Sequence, residues 1–406
     1  MKQIIGKYST AIVYTDLIEQ TAIDQIQTLC NQPFAENCRI RIMPDVHAGS
    51  GCVIGFTADL GELVIPNIVG VDIGCGMLTV ELGKLCPDFE ELDRVIRQFV
   101  PSGINVHEAP LVPFPQLDDL LCKNRLKDME RICNSIGTLG GGNHFIEVDV
   151  DDLQNYYLVI HTGSRNLGKQ VAEYYQDLAW QTLFGRQSLQ LQRQELIRTY
   201  KEQNRTSELQ QALADLERQQ KPQANIPRQL CYLTGETRDA YLHDMAICQQ
   251  YAAANRLAIA NQILTHLLGK KLEDFPYFET VHNYIDHQSN IIRKGAVSAK
   301  LGQRLLIPIN MRDGSLICIG KGNPDWNESA PHGAGRLFSR GAARERFTVE
   351  HFAREMDGIY TTSVSQDTLD ECPMAYKPMQ SIVANIEPTA QIVSVIRPVY
   401  NFKAGE

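Results

Sequence analysis

Residues 52–82 read CVIGFTADLGELVIPNIVGVDIGCGMLTVEL. Apolar and β-branched runs at 52–57, 63–65 and 77–81 are separated by glycines, the signature of short strands joined by tight turns. The same texture begins near residue 38. It returns at 156–161, between Asn155 and Gly163, and again in the glycine-rich stretch 295–322. Between these strand regions the character changes. Residues 168–184 have helical periodicity. Residues 187–220 are rich in Gln, Leu, Glu and Arg and nearly free of Gly and Pro, which predicts one or two long surface helices. A break follows at 221–227. A further helix is expected over 239–268, with Asp239 as N-cap and Gly269 as C-cap. One more helix is expected from about Ala334 to Arg344, and another from Val349. No solenoid-length repeat and no low-complexity linker interrupts the chain. The pattern predicts an α+β fold: one mixed domain over 1–406, with glycine-rich strands and a mainly helical segment at 168–268 that carries an extended insertion near 185–230.

The chain has 406 residues, 43% of them hydrophobic, enough for a large core. No run reaches the roughly 20 apolar residues of a membrane span. The N-terminal residues 1–15 lack a secretory pattern, so a cytoplasmic, non-membrane protein is expected. Eleven cysteines in such a chain do not read as a disulfide framework. A net charge of −9 argues weakly against a nucleic-acid partner, unless local basic groups or bound cations offset it.

Candidate chemistry is scattered. Asp72 and Cys75 stand three apart in the glycine-rich turn VDIGCG (71–76), where a carboxylate and a thiolate can meet a divalent ion. Taken alone, the motif is better read as a tight turn with a buried cysteine. His144 follows a triple glycine in GGGNHFIE (140–147), His161 ends an apolar strand in HTGSR (161–165), and His282 follows Glu279. Singly, each histidine is better explained as a satisfied core or surface residue. Together, Asp72, Cys75, His144, His161 and His282 form a mixed O, S and N donor set suited to Zn, Mn, Fe or Co.

The segment PHGAGRLFSR (331–340) joins a histidine, two glycines and two arginines. At a helix start, small residues would leave backbone N–H groups open to an anion, and Arg336 and Arg340 would add phosphate contacts. His332 can then serve as nucleophile or as general acid. A glycine turn with a solvated basic face fits the local sequence equally well. Arg165, Arg293 and Lys294 are further cationic candidates for the same phosphate-rich site.

These motifs together resemble the RtcB family of RNA ligases. The resemblance runs through MPDVHAG (43–49), PNIVGVDIGCGM (66–77), GTLGGGNHFIE (137–147), HTGSR (161–165), HNY (282–284), RKGAVSA (293–299), HGAGRLFSR (332–340) and MAYK (374–377). Only the segments near 85–130 and 185–230 lie outside it. It implies an RtcB-like fold around a central metal site. It also implies an enzyme that uses GTP and Mn²⁺ to join an RNA 3′-phosphate or 2′,3′-cyclic phosphate to a 5′-hydroxyl, in RNA repair or tRNA splicing. By position, Asp72, Cys75, His144, His161 and His282 would hold two manganese ions, and His332 would carry GMP. Asn143, Phe145, Glu147, Asn283, Ala334, Gly335, Tyr376 and Lys403 would surround the guanine nucleotide, and Arg165 would meet RNA phosphate. Two departures stand out. Val281 replaces the first histidine of a usual His-His-Asn, and Ile309-Asn310-Met311-Arg312 replaces a Gly-Ser-Met-Gly loop. A metal-dependent cyclic phosphoesterase on RNA ends, and an RNA- or ribosome-binding factor with an altered site, are the competing expectations.

Overall fold

The glycine-punctuated strands of residues 52–82 go to different sheets. A computed structural model describes residues 1–59, 61–184, 193, 196–202, 205, 208–219, 226–286 and 288–405. Strand Ile54–Asp59 lies in a six-stranded sheet with the order Lys2–Ile5, Thr10–Val13, Ile40–His47, Ile54–Asp59, Ile291–Lys294, Asn283–Asp286. Its pairs are antiparallel apart from Thr10–Val13 with Ile40–His47. Strand Gly76–Gly83 lies in a central sheet with the order Tyr277–Val281, Gly76–Gly83, Tyr156–Thr162, Phe145–Val150, Ala390–Phe402, Gly314–Gly320, Arg304–Asn310. Leu63–Val64 forms a short ribbon with Leu233–Thr234. This mixture of largely antiparallel sheets and separate helices is the α+β architecture expected.

The chain leaves the central sheet at Val281 and enters the six-stranded sheet at Asn283. His282 is therefore the single residue between the two sheets. The helix Gly235–Leu268 has 34 residues, a length of about 50 Å at 1.5 Å per residue. Its first half buries Tyr241, Met245 and Tyr251 in the core beneath the six-stranded sheet. Its second half buries Ile259, Ile263 and Leu264 in the core of the central sheet. One helix thus spans both hydrophobic cores, with polar Asn255 and Arg256 buried between the two stretches.

Three expectations need correction. The long helix starts at Gly235, after Thr234, so Asp239 lies inside it rather than capping it. Its other end is as expected: Gly269 closes it in the left-handed conformation. The helix expected from Ala334 is Arg340–Arg346, and Ser339 caps it by accepting from the Ala342 N–H. Residues 332–335 form an irregular segment, because Gly335 turns left-handed and presses on the Asp45 backbone. Arg293 and Lys294 are buried scaffold cations rather than phosphate contacts. Arg293 bonds Ser329 and the carbonyls of Asn327 and Glu328, and Lys294 donates to the carbonyls of Ser50 and Asn67. The helix expected from 168 extends over Arg165–Phe184, and the one expected from Val349 spans Val349–Glu355. Of the long stretch 187–220, residues 196–202 and Leu209–Gln219 are helical. The rest of that expectation lies outside the described residues. No helix among the described residues is long and apolar enough to cross a membrane.

Candidate active site

The turn from Asp72 to Cys75 is closed by a Cys75 N–H to Asp72 carbonyl bond of 3.2 Å, with Gly74 left-handed at φ 74°. It lies directly beside the end of strand Tyr156–Thr162. A Cβ on Gly163 would sit 2.2 Å from the Asp72 carboxylate, so only glycine leaves room for it. Strand pairing sets His161 opposite both Met77 and Phe145. His144 directly precedes the strand Phe145–Val150. His282 reaches the same point because its N–H donates to the Cys75 carbonyl at 3.0 Å.

The five expected ligands converge. Cys75 Sγ is 3.6 Å from His144 Nε2 and 3.4 Å from His161 Nε2. His144 Nε2 is 3.0 Å from Asp72 Oδ2, and His161 Nε2 is 3.5 Å from His282 Nε2. Two groups of three form, Asp72–Cys75–His144 and Cys75–His161–His282, and within each the ligand atoms lie within 4.8 Å of one another. Cys75 belongs to both.

Orientation supports metal holding. His144 Nδ1 contacts the Leu139 carbonyl at 2.9 Å and His161 Nδ1 the Asn143 carbonyl at 3.0 Å. Nδ1 is then the protonated nitrogen, and each Nε2 lone pair points to the centre. Burial lowers the pKa of His161 and of His282 well below the ordinary value, which keeps both rings neutral. Burial and Asp72 raise the Cys75 thiol well above its ordinary range. A divalent cation reverses that preference, since it binds the thiolate. The donor set fits one or two borderline divalent ions.

Two neighbouring residues of the long helix hold this centre together. Asn255 Oδ1 accepts from the N–H groups of Gly137 and Thr138, and its Nδ2 donates to the Thr138 and Gly163 carbonyls. Arg256 donates to the Gly74 carbonyl at 2.8 Å, the Thr162 carbonyl at 3.1 Å and Glu279 at 2.8 Å. The Asp72–Cys75 turn and the His161 strand end are thereby fixed from behind.

His332 borders the cluster, its ring centroid 4.8 Å from that of His282. Asp45, fully buried, accepts from both the His332 N–H at 3.0 Å and its Nδ1 at 2.6 Å. Nε2 is left for chemistry. Gly335 makes the arrangement possible, because a Cβ there would lie 2.1 Å from the Asp45 carbonyl oxygen. Beside it, His47 contacts the Asp45 carbonyl through Nδ1 at 2.9 Å, and burial brings its pKa down to about 4.

A cavity of about 560 Å³ opens from His161, His282 and His332 toward Glu147, Tyr376 and Lys403, within the size range of small-molecule sites. Asn143, Phe145, Ala334, Gly335 and the replaced loop residues Ile309, Asn310 and Met311 also line it. Asn283 does not. Its side chain donates to the Asp72 carbonyl at 3.2 Å and accepts from the Gly295 N–H at 2.9 Å, which steadies the ligand turn. Arg165 lies behind His144, with NH1 3.4 Å from His144 Nδ1. Arg336 and Arg340 reach the wall, both paired with Glu371. Lys403 also binds Glu371, at 2.9 Å.

Sequence reading did not single out Asp45, Asn255, Arg256 or Glu371. Asp45 stands within MPDVHAG, but nothing in that string says which histidine it meets. Asn255 and Arg256 are two polar positions in a long helical pattern and carry no local signal.

The sequence profile described as "tRNA-splicing ligase RtcB" matches residues 25–125 and 116–404. The chain belongs to the RtcB family. RtcB relatives align with most of its length. The "RNA-splicing ligase RtcB" of Escherichia coli K12 is 29% identical, over 94% of both chains. The "tRNA-splicing ligase RtcB" of Aeropyrum pernix is 26% identical, over 96% of this chain and 94% of its own. That of Thermococcus kodakarensis is 26% identical, over 88% and 86%. As an RtcB family member, the chain sets the Asp45-bound His332 beside the converged ligand cluster, of which His161 and His282 line the cavity with it.

Proposed function

We propose that this protein is an RNA ligase that joins an RNA 3′-phosphate or 2′,3′-cyclic phosphate end to a 5′-hydroxyl end through a guanylylated His332. The observation that carries the reading is the Asp45–His332 pair set against the five-ligand cluster. With Nδ1–H held by a buried carboxylate, Nε2 is a neutral nucleophile. Its lone pair attacks the GTP α-phosphorus, the bond to pyrophosphate breaks, and the positive charge that forms on the ring is met by Asp45. A cyclic end is first opened by water, which breaks the bond to O2′ and leaves a 3′-phosphate; its oxygen then takes the GMP, and His332 is released. The 5′-hydroxyl oxygen displaces GMP and closes the phosphodiester, and its proton goes to solvent.

Asp72, Cys75, His144, His161 and His282 would hold two Mn²⁺ ions, which when bound supply charge neutralisation to phosphate oxygens. Glu147, Phe145, Asn143, Tyr376 and Lys403 would receive the nucleotide, with Ala334 and Gly335 shaping the wall by His332. Glu147 as a carboxylate can accept two N–H bonds from guanine. Asn283 would act from behind, through the Asp72 turn, and Arg165 would position the RNA phosphate.

Incubation with α-labelled GTP and Mn²⁺, followed by denaturation, tests the reading. Acid-labile label on the wild-type chain and none on His332→Ala is the expected result. Opening of a cyclic phosphate without any covalent label points instead to a phosphoesterase. RNA binding with neither activity points to a binding factor.

A further inference from the structure

Phe145, Glu147 and Asp149 alternate along one strand and so share one face of the central sheet. Glu147 is 3% exposed and Asp149 fully buried. Two acids in one dry layer are costly unless cations or donors meet them. Here they are scarcely met. Among the described residues, neither Asp149 oxygen has a hydrogen-bond partner. Glu147 receives one bond, from Asn401 Nδ2. The neighbouring cation, Lys403, is committed to Glu371, which also takes Arg336 and Arg340. Across the strand pairing, Val159 stands opposite Glu147 and Tyr157 opposite Asp149. Tyr157 gives its hydroxyl to Asp151, and Leu306, Ile317 and Ile396 complete an apolar surround. The titratable groups facing the pair are Lys403, which favours the Glu147 carboxylate from its bond to Glu371, and Tyr157, which is bonded to Asp151; burial outweighs the pull of Lys403.

The protonation state of a carboxyl group at a nucleobase edge decides which base it matches. A carboxylate offers acceptors only, complementary to the N1–H and exocyclic N–H of guanine. A carboxylic acid offers one donor and one acceptor, complementary to adenine N1 and its exocyclic N–H. We propose that Glu147, set beside the second acid Asp149 in this cation-poor layer, is a proton switch that reads guanine when ionised and adenine when neutral, so that this chain also takes adenine nucleotides. The inference rests on the reading that Glu147 meets the base. Burial raises Glu147 to about 7, and it raises Asp149 well above its ordinary range, so the switch falls near neutral pH. Asp149 stays neutral, and Glu147 is the group that titrates.

The test is direct binding of GMP and AMP to the full chain with Mn²⁺ at pH 8 and pH 6, read as the ratio Kd(AMP)/Kd(GMP). Both nucleotides carry the same phosphate, so titration of the phosphate or of the metal ligands cancels in the ratio. About a tenfold loss for GMP and a tenfold gain for AMP lower the ratio roughly a hundredfold on going from pH 8 to pH 6. Glu147→Gln, fixed in the neutral form, should favour AMP at both pH values. A flat wild-type ratio, with guanine preference still lost in Glu147→Gln, overturns the switch and leaves Glu147 as base reader. Unchanged guanine preference in Glu147→Gln overturns both. Should that variant fail to fold, the wild-type ratio alone decides.

Discussion

His332 has one ring nitrogen for chemistry because Asp45 occupies the other. The bond to a buried carboxylate fixes the tautomer, and under the proposed guanylylation it would steady the cation formed on the ring. Asp45→Asn keeps the shape and removes the charge. It should slow formation of the His332 adduct about 100-fold or more, measured as the rate of label incorporation from α-labelled GTP. A wild-type rate in this variant would show that Asp45 only fills space. Asp149 makes a different prediction. Its folded-state pKa is raised by burial, so the folded chain holds a proton there that the unfolded chain releases above its ordinary carboxyl pKa. Folding is therefore penalised increasingly as pH rises from about 4. Asp149→Leu removes an unpartnered buried acid and should stabilise by about 1–3 kcal/mol at neutral pH. The gain should shrink as pH falls toward about 4, where the unfolded chain also holds the proton, as followed by denaturant unfolding across pH. An equal gain at all pH values would mean that the effect is packing alone.

At the scale of elements, the ligand turn, the strand ends and the long helix work as one unit. Arg256 bonds the carbonyls of Gly74 and Thr162, directly behind two of the ligand-bearing segments. Arg256→Met fills similar space but leaves those carbonyls and Glu279 unpaired. Such a loss behind the ligands should weaken Mn²⁺ binding about 10–100-fold, read by competition against a metal-sensitive dye. The sequence makes the strands around residues 52–82 and the helix end at Gly269 legible, because glycine and period-2 patterns are local. It makes the five ligands legible too, four of them as donor residues beside glycines and all five as an ordered family resemblance. Their convergence is not local. It depends on the crossing from Val281 to Asn283 and on side chains such as Arg256 that touch segments up to 182 residues away. The helix expected at Ala334 fails for a related reason: Gly335 is held left-handed against Asp45, a contact between residues far apart in sequence.

For the whole molecule, the ligand cluster lies where the two sheets and the two cores meet. His282 joins the sheets, Asp72 and Cys75 lie in the turn that leads into the central-sheet strand Gly76–Gly83, and the long helix underlies both cores. Metal bound at that junction favours the complete fold over the unfolded chain, which cannot assemble five ligands from across 211 residues of sequence. Mass action then stabilises by about 2.7 kcal/mol when free metal is a hundred times its Kd. Mn²⁺ should raise the Tm of the wild-type chain, and Cys75→Ala, which takes a ligand from both groups, should abolish the rise. The pH dependence has a definite sign. The Cys75 thiol is held well above its ordinary pKa in the metal-free fold, and binding must displace that proton. The Mn²⁺-induced rise in Tm should therefore grow as pH increases from 6 to 8 and shrink as pH falls. Scanning calorimetry with and without Mn²⁺ over that range checks it. A rise that is independent of pH and survives Cys75→Ala would place the metal elsewhere on the surface.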